Sequence, residues 1–373
     1  MTTRAGQLYR LLRSTGRERR LGTVILFVTS RCNAKCETCF YWQELNRPGD
    51  MTYAQIERLA QTMPPVTDLW LSGGEPTLRR DLCEIIALFV RTNGVRRVII
   101  PTNALVKARA REVVAAALGH NPEIDLYLNV ALDGYGTTHD RIRGVPGNWE
   151  KTLDTIAALY PLKELYGDRF RLNVNTVVCA ENYAELERLA DYLWHNCRLD
   201  GHYFNIIRGE TKAGAAIKAV PPEVLPALYA RAAALTERYG ARMFAADDAP
   251  TRFVKAVAYV GAITTHYRTQ LANFDRATPW GFPCTAGETT VVVDYNGDVR
   301  ACELRAPFAT LAAYDYDFGA LWADHARQQE LNEIDGGRAC WCTHVCFIHD
   351  SMRHSRRALL YDVPKNYLRR NSW

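Results

Sequence analysis

Eight of the eleven cysteines in this 373-residue chain fall into two groups whose spacing suits metal chemistry. The first group is Cys32, Cys36 and Cys39, and it directly follows the β-branched and apolar run at residues 23–28. Three thiolates on one loop can bind three corners of a four-iron cluster and leave the fourth iron open to another ligand. Zinc is the alternative, but structural zinc sites favour paired Cys-x2-Cys units that together supply four ligands.

The second group lies between residues 284 and 346. Two strand-like runs, 288–294 and 299–303, flank Tyr-Asn-Gly-Asp at 295–298, and Asn-Gly between strands predicts a hairpin with a type I′ turn. A cysteine at each foot of this hairpin and a later knot of cysteines can enclose a four-iron cluster, with a four-cysteine zinc site as the alternative. The candidate ligands are Cys284, Cys302, Cys340, Cys342 and Cys346. We expect four of them to bind, namely Cys284, Cys302, Cys346 and either Cys340 or Cys342.

Strands and helices alternate along the chain as far as residue 208. Strands are predicted at 23–28, 68–71, 97–100, 125–130, 171–178 and 202–207, and helices at 51–62, 81–92, 108–118, 149–159 and 183–194. This alternation implies parallel strands joined by right-handed crossovers. Pro101 is expected to end the third strand, and two further helices are predicted at 221–240 and 252–272. The residues alone leave open whether the strands form a doubly wound sheet or an open barrel.

The composition and charge of the chain exclude several classes of protein. With 48% hydrophobic and 23% charged residues, it is neither disordered nor fibrous. No run approaches ~20 apolar residues and no signal peptide is recognisable, so we expect a cytoplasmic protein without a membrane-spanning helix. Net charge is +5 over residues 1–20 and +4 over residues 350–373. These ends are either simply solvated or in contact with an anionic partner such as acidic lipid headgroups, and nucleic acid is disfavoured because no basic and aromatic residues interleave.

The Cys-x3-Cys-x2-Cys spacing of the first group resembles the signature of the radical S-adenosylmethionine (SAM) superfamily. Further along, Ser-Gly-Gly-Glu-Pro at 72–76 is similar to the Gly-Gly-Glu-Pro motif with which that family holds the methionine amino group of SAM. The resemblance therefore implies SAM contacts at Gly73, Gly74, Glu75 and Pro76, and near Asn103 after the third strand. Glycines let a ligand approach the backbone closely, and a glutamate accepts hydrogen bonds from an ammonium group.

The stretch from Asp133 to Gly144 is similar to the Asp-Gly and His-Asp-x-x-Arg-Gly sequence of the SPASM/twitch subfamily. By this resemblance Arg143 is a candidate partner of the SAM carboxylate and Asp133 of the ribose, with a loop salt bridge as the alternative for both. Asn175 on the fifth strand is a further candidate contact, or else a hydrogen-bonded core amide. In one respect the chain departs from the family pattern, because Thr38 stands where the family has an aromatic residue near the adenine. The aromatic residues that would take over this stacking are Phe40, Tyr41 or Trp42.

The resemblance also implies the fold class, an α/β open (β/α)6 partial TIM barrel with SAM at the carboxyl ends of the strands. The second cysteine group resembles the smaller C-terminal SPASM/twitch domain with its β-hairpin, in the shorter version that carries one auxiliary cluster. The implied cofactors are a [4Fe–4S] cluster, a second, auxiliary [4Fe–4S] cluster, and SAM. The expected boundaries are a basic segment 1–21, the barrel 22–208, a helical connector 209–280, the auxiliary-cluster domain 281–350 and a basic tail 351–373.

The implied activity is reductive cleavage of SAM to methionine and a 5′-deoxyadenosyl radical, which abstracts hydrogen from a substrate C–H bond. Peptide or natural-product modification is the favoured reaction, and the alternatives are a radical oxidoreductase acting on a sugar or lipid and a non-enzymatic zinc- or cluster-binding regulator. The expected partners are the substrate, an electron donor such as flavodoxin or ferredoxin, and an acidic membrane surface. Arg208 is a candidate anion-binding residue on the substrate side, and Glu288, Glu303 and His344 are candidate acids or bases.

Overall fold

One continuous sheet of nine strands forms the centre of the protein, in a computed structural model that describes residues 19–274, 280–335 and 342–373. The strands are β1 (Thr23–Thr29), β2 (Asp68–Gly73), β3 (Arg97–Thr102), β4 (Asp125–Ala131), β5 (Phe170–Val178), β6 (Gly201–Ile206), β7 (Thr290–Val293), β8 (Asp298–Arg300) and β9 (Ala309–Thr310). Their order is β6-β5-β4-β3-β2-β1-β7-β8-β9, and β1 to β6 are all parallel. These six strands form an open, barrel-like core, so the predicted open (β/α)6 fold is confirmed.

Helices connect the parallel strands and cover the outside of the barrel. They are α1 (Tyr53–Thr62), α2 (Leu82–Asn93), α3 (Lys107–His120), α4 (Thr137–Arg143), α5 (Asn148–Ala158), α6 (Tyr160–Tyr166) and α7 (Leu186–Asn196). After β6 follow α8 (Leu225–Met243), α9 (Ala249–Asn273), α10 (Phe318–Trp322), α11 (His325–Asp335), α12 (Val345–Arg353) and α13 (Val363–Leu368). No helix in the described ranges is long and apolar enough to cross a membrane.

The first strand is buried on both faces. Its outward side chains, such as Val24 and Leu26, belong to the large apolar core that the barrel shares with the helices. Its inward side chains, Ile25 and Phe27, pack in a second apolar cluster together with Phe347 of α12. This two-sided burial explains why β1 reads as a continuous apolar run instead of an alternating one.

Pro101 does not end the third strand, so that expectation was wrong. β3 continues to Thr102, and Pro101 pairs with Asn129 of β4. The ladder between β3 and β2 ends earlier, at Ile99. A proline has no N–H to donate to a neighbouring strand. It is tolerated at position 101 because β2 no longer pairs with β3 there.

The predicted hairpin is present as β7 and β8, but its turn is not of type I′. Of the residues in the turn only Gly297 has a positive φ, +90°, whereas a type I′ turn needs two. The Gly297 amide donates to the Asp294 carbonyl (2.9 Å), and the Asp294 amide donates to the Asp298 carbonyl (2.8 Å). This pattern closes a three-residue loop with glycine in the left-handed region. The Asn296 side chain accepts from the Asp298 amide (3.1 Å), which accounts for the asparagine.

The hairpin joins the barrel sheet directly, because β7 lies parallel beside β1. α8 and α9 pack against each other between β6 and β7 in the chain, and α9 also packs against α13. Residues 351–373 include the end of α12, a π-helical turn at Ala358–Asp362, and α13. The domain boundaries given above stay a prediction.

Candidate functional site

A cavity of about 250 Å³ opens at the carboxyl ends of the barrel strands. Parallel α/β proteins place their binding sites at this edge. Segments far apart in the chain meet on its wall, namely the first cysteine loop, the glycine motif after β2, the residues after β3 and the end of α4. Of the predicted site residues, the wall contains Cys32, Cys36, Cys39, Gly73, Gly74, Glu75, Asn103 and Arg143.

Gly73 and Gly74 let the end of β2 pass directly beside the segment that leads into the cysteine loop. A Cβ at Gly74 would stand 2.2 Å from the Arg31 carbonyl oxygen, and one at Gly73, where φ is +127°, would stand 2.3 Å from the Thr29 carbonyl oxygen. The Gly74 amide donates to Thr29 (2.8 Å) and the Glu75 amide to Arg31 (2.7 Å). These two amides therefore hold the loop, whereas the sequence suggested that backbone groups here would face a ligand.

Glu75 is a buried carboxyl group with four neutral hydrogen-bond donors. Its Oε1 accepts from the Thr77 amide (3.2 Å), the Thr77 hydroxyl (2.6 Å) and the Thr102 hydroxyl (2.8 Å). Its Oε2 accepts from the Asn103 amide at 2.7 Å. Burial raises the pKa of Glu75 above its usual value, although all four hydrogen bonds favour the carboxylate. Thr102 directly precedes Asn103, and the sequence placed both near the expected SAM contact after the third strand. Thr77 was not among the predicted site residues, although a hydroxyl two residues after the glutamate was an available signal.

Arg143 and Asp133 form a buried ion pair beside the cysteine loop. Arg143 Nη1 donates to Asp133 Oδ2 at 3.0 Å, and Asp133 Oδ1 accepts from the Val177 amide at 2.8 Å. The Arg143 carbonyl accepts from the Lys35 amide (3.1 Å), so the end of α4 is tied to the loop between the first two cysteines. Arg143 Nε is buried, and none of the described residues accepts its proton. One donor of this guanidinium is thus available to a ligand.

The three cysteines of the first group are thiols when no metal is bound. Burial raises the pKa of Cys32 and of Cys39 to about 11, and it raises the pKa of Cys36 as well. Burial disfavours the charge of Arg143, but Cys36, once its thiol has lost the proton, and Asp133 outweigh this effect and raise the pKa of the guanidinium. Iron would have to displace the thiol protons, and a permanent cation lies beside the resulting thiolates.

Three predicted residues do not reach the wall of the cavity. Pro76 is buried at the start of a short 3-10 turn that Glu75 caps, and Asp133 has both oxygens engaged as described. Asn175 lies on β5, two residues before Val177, which does line the cavity. The two side chains share a face of the strand, so Asn175 lies one step deeper in the barrel.

The aromatic residues after the third cysteine divide between the cavity and the surface. Thr38, Phe40 and Tyr41 are on the wall. Trp42 is 36% exposed and is not part of the wall. The Tyr41 hydroxyl donates to Asp294 Oδ1 at 3.2 Å, and this bond fixes the tyrosine ring. The Arg208 guanidinium lies over the Phe40 ring, 5.1 Å from its centre.

Four of the five cysteines in the second group are described, and Cys340 lies outside the described residues. Cys284, Cys302, Cys342 and Cys346 all belong to or pack against the apolar cluster that includes Phe347. Burial raises the pKa of Cys302 well above its usual value, and charge on Cys342, Glu303 or Cys284 would raise it further. The described residues contain no group of three or more His, Cys, Asp or Glu side chains arranged to hold a single metal ion. A four-iron cluster is larger than a single ion and holds its cysteines further apart.

A buried bridge of charged and polar groups links the cavity to the second cysteine group. Arg208 lines the cavity, and its Nη2 lies 3.4 Å from Glu303 Oε2. The same oxygen lies 2.5 Å from His344 Nε2. Burial alone would raise the pKa of Glu303, but His344 and Arg208 outweigh it and lower the pKa to about 2. The sequence marked these three residues separately, but it could not show that they meet. Glu288, also marked, forms an ion pair with Arg19 (2.9 Å) and is not on the cavity wall.

Comparison with known proteins agrees with this geometry. Residues 26–193 match the family model described as the radical SAM superfamily. The pre-heme d1 synthase of Dinoroseobacter shibae is 35% identical over 134 residues, which are 35% of this chain and 31% of that protein. The chain matches less than half the length of such curated relatives.

Two solved structures share the fold over most of the chain. Native anSMEcpe with bound AdoMet and Cp18Cys peptide has a TM-score of 0.58 at 15% identity and covers 94% of this chain and 95% of that one. SuiB of Streptococcus suis bound to precursor peptide SuiA has a TM-score of 0.54 at 16% identity, with 88% and 70% covered. The three-cysteine loop and the Glu75 motif both lie within the matched residues, so residues 26–193 have the sequence and the geometry of a radical SAM domain.

Proposed function

We propose that this enzyme binds SAM and two [4Fe–4S] clusters and uses them to modify a peptide at a C–H bond. The observation that carries the proposal is the wall of the 250 Å³ cavity, where three cysteines, a buried carboxylate and a guanidinium with an unused donor face one space. The family implies a [4Fe–4S] cluster and SAM, and the residues on this wall fit both groups.

Each of these wall residues suits one part of the cofactors. Cys32, Cys36 and Cys39 would hold the first cluster and leave one iron for the amine and carboxylate of SAM. Glu75 has only neutral donors around it, and its carboxylate would accept an N–H of the SAM amine, which binds the iron through its lone pair. Arg143 would direct its Nε proton to the SAM carboxylate. When bound and reduced, these cofactors supply the 5′-deoxyadenosyl radical of this family.

The remaining predicted contacts take supporting roles. Asp133 already accepts from Arg143 and from the Val177 amide, so it is better suited to hold Arg143 in place than to reach the ribose. Asn175 lies one step deeper on β5 than Val177 and off the cavity wall, so we do not assign it a direct contact with SAM. Phe40 and Tyr41, two of the aromatic residues on the wall beside Phe27, are our candidates for the adenine contact, since Thr38 cannot stack.

A second cluster is proposed at the C-terminal cysteines, with Cys284, Cys302, Cys342 and Cys346 as its ligands. All four pack on one apolar cluster, which would exclude water from the iron. The Arg208–Glu303–His344 bridge connects this place with the SAM cavity, so a group bound in the cavity lies near both cysteine groups. This arrangement supports an exchange of electrons between the substrate and the second cluster.

A peptide is the favoured substrate because two solved structures that share this fold over most of its length hold peptides. A tetrapyrrole is the second candidate, favoured by the 35% identity with pre-heme d1 synthase. The first relationship is one of fold, and the second covers 35% of this chain, so each substrate class is tested directly. SAM cleavage that rises on addition of one substrate class and not the other distinguishes them.

The test begins with anaerobic reconstitution of the full chain, followed by iron, sulfide and zinc analysis and an assay of 5′-deoxyadenosine with dithionite as reductant. We expect about eight irons and eight sulfides per chain and reductant-dependent SAM cleavage. Cys36→Ala should abolish cleavage and leave about four irons. Cys302→Ala with Cys346→Ala should also leave about four irons, but cleavage should persist.

Cys83→Ala is the matched control, because Cys83 is half-buried on α2 outside both groups, and it should keep about eight irons. If the wild type binds only about four irons, and Cys36→Ala loses them while the Cys302→Ala, Cys346→Ala variant does not, the proposal of a second cluster is refuted and the SAM chemistry stands. Stoichiometric zinc without iron after reconstitution would refute the whole proposal.

A further inference from the structure

Exposed apolar side chains are concentrated in one region, far along the chain from the cysteine loop. Of the eight large apolar side chains that are exposed within the described ranges, five lie on the first turns of α9 or on residues 358–368. They are Phe253 (59% exposed), Val254 (51%), Leu360 (63%), Tyr361 (56%) and Leu368 (77%). We call these five residues, with the basic residues named below, the apolar-basic face. Scattered single exposures are normal on a protein surface, but such a concentration marks an interaction site.

The packing of α13 on α9 explains why these side chains point outward together. Val363 is buried against Gly261 of α9, and Asn366 Nδ2 donates to Thr265 Oγ1 at 3.0 Å. The opposite side of this helical segment therefore presents residues 361, 365 and 368, which are spaced one and two turns apart. The ring of Tyr367 lies 6.1 Å from that of Phe253, so the start of α9 adjoins the same surface.

Basic residues lie next to these apolar residues in the chain, and all of them are exposed or half-buried. They are Arg252, Lys255, Arg356, Arg357, Lys365 and Arg369. The acids nearby are fewer: Asp247 pairs with Lys255 (2.8 Å) and Asp362 with Arg357 (3.7 Å), while Asp248 caps α9. The surface is thus both apolar and cationic, and residues 350–373 alone carry a net charge of +4.

We propose that the apolar-basic face docks the enzyme on an anionic membrane surface. Helices with protruding apolar side chains and flanking Lys and Arg lie in the headgroup region, where apolar burial and attraction to anionic lipids act together. The leucines and aromatic residues protrude between cations and do not line a groove, which suits a fluid headgroup layer better than a folded partner. Lys365 lies 5.1 Å from the centre of the Tyr361 ring, and its long stem can carry its charge up to the phosphates.

The experiment is co-sedimentation of the full, cluster-loaded chain with vesicles of equal parts phosphatidylglycerol and phosphatidylcholine, compared with pure phosphatidylcholine. We expect binding to the mixed vesicles that is at least about tenfold stronger and that weakens with salt. Leu360→Glu with Leu368→Glu should lower the partition coefficient by about tenfold or more. Lys365→Gln should lower it about fivefold, because one basic residue near the surface contributes about that factor.

Leu165→Glu is the matched control, because Leu165 is 69% exposed on α6, outside the apolar-basic face, and this variant should bind like the wild type. Iron content and SAM cleavage of every variant show that the fold and the cofactor site are intact, so the outcome is independent of the proposed catalytic function. Equal binding to both vesicle types, or unchanged binding of the double variant, would overturn the proposal. So would a wild-type dimer that Leu368→Glu dissociates, or binding to polyglutamate without binding to vesicles, because the face would then belong to a second copy or to an acidic protein.

Discussion

A single methyl group at Gly74 should dislodge the first cysteine loop. In Gly74→Ala the new Cβ would stand 2.2 Å from the Arg31 carbonyl oxygen and 2.7 Å from that of Ser30. Both contacts are with backbone, so no side chain can rotate away, and the segment leading into Cys32 must move by about an ångström to reach ordinary contact. That movement breaks the two hydrogen bonds by which the Gly74 and Glu75 amides hold the loop.

The size of the effect follows from these contacts. Each lost backbone hydrogen bond costs about 1 kcal/mol, and overpacking a tight site costs about 1–3 kcal/mol. When the loop moves, the hydrogen bonds are lost but part of the overpacking is relieved, so the two costs do not add in full. We therefore expect the free energy of unfolding to fall by about 2–4 kcal/mol. Because Cys32 follows Arg31 directly, we also expect the first cluster to be lost from most molecules.

Two measurements on Gly74→Ala test this reasoning, urea unfolding of the cluster-free protein and iron content after reconstitution. Gly22→Ala is the matched control at the other end of β1, since its Cβ would meet only the Arg20 carbonyl, at 3.8 Å. The control should unfold like the wild type and bind the full iron complement. If Gly74→Ala does the same, the close approach of β2 to the cysteine loop does not constrain the site, and the argument fails.

Three further substitutions test individual contacts. Glu75→Gln removes the negative charge that we assign to the SAM amine and should weaken SAM binding by about 10- to 100-fold, measured by calorimetry on cluster-loaded protein; unchanged affinity would exclude that role. Arg143→Lys keeps a positive charge but loses the planar fork that serves both Asp133 and a ligand, so SAM affinity should fall about tenfold while iron content stays; a variant with wild-type affinity would contradict the assignment. His202 is buried, and burial lowers its pKa to about 3, below its usual value near 6.5. The neutral ring therefore makes its full contribution to the free energy of unfolding above about pH 6.5. Between about pH 6.5 and pH 3 this free energy falls by about 1.4 kcal/mol for each pH unit of acidification. His202→Gln, which can still donate to Thr176, should show a shallower loss in acid unfolding, and an unchanged slope would show that this ring does not titrate.

The order and type of the barrel elements could be predicted because they rest on local patterns. The six strands were expected within two residues of their observed ends, and the third strand runs two residues past the stop expected at Pro101. The short helix α4 was interpreted as a loop, because seven residues between Gly136 and Gly144 are too few to show a helical period. The parallel pairing of β7 with β1 could not be predicted either, since contacts between residues as far apart in the chain as Thr23 and Thr290 leave no local pattern.

The candidate site divides in the same way. The cysteine spacing and the glycine motif indicated residues that the fold does bring to one cavity, because each motif is compact and follows its own strand. The sequence could not show that both carboxylate oxygens of Asp133 accept hydrogen bonds, one from Arg143 and one from the Val177 amide. Nor could it show that Glu303 lies between Arg208 and His344. Such pairings depend on which strand ends lie side by side, and the sequence carries this information only through the whole fold.

The C-terminal hairpin supports the first cysteine loop as well as carrying cysteines of its own. β7 runs beside β1. Directly after β7, Asp294 accepts a hydrogen bond from the hydroxyl of Tyr41 (3.2 Å), which lies two residues after Cys39. The next residue, Tyr295, accepts from the Met51 amide (2.6 Å) and donates to Glu44 (3.2 Å). The segment that leaves the first cysteine group is therefore held by the hairpin, which lies between Cys284 and Cys302 of the second group. Without β7, β1 would become an edge strand and lose these contacts, so a barrel cut before residue 281 would lack part of the support for its own cysteine loop.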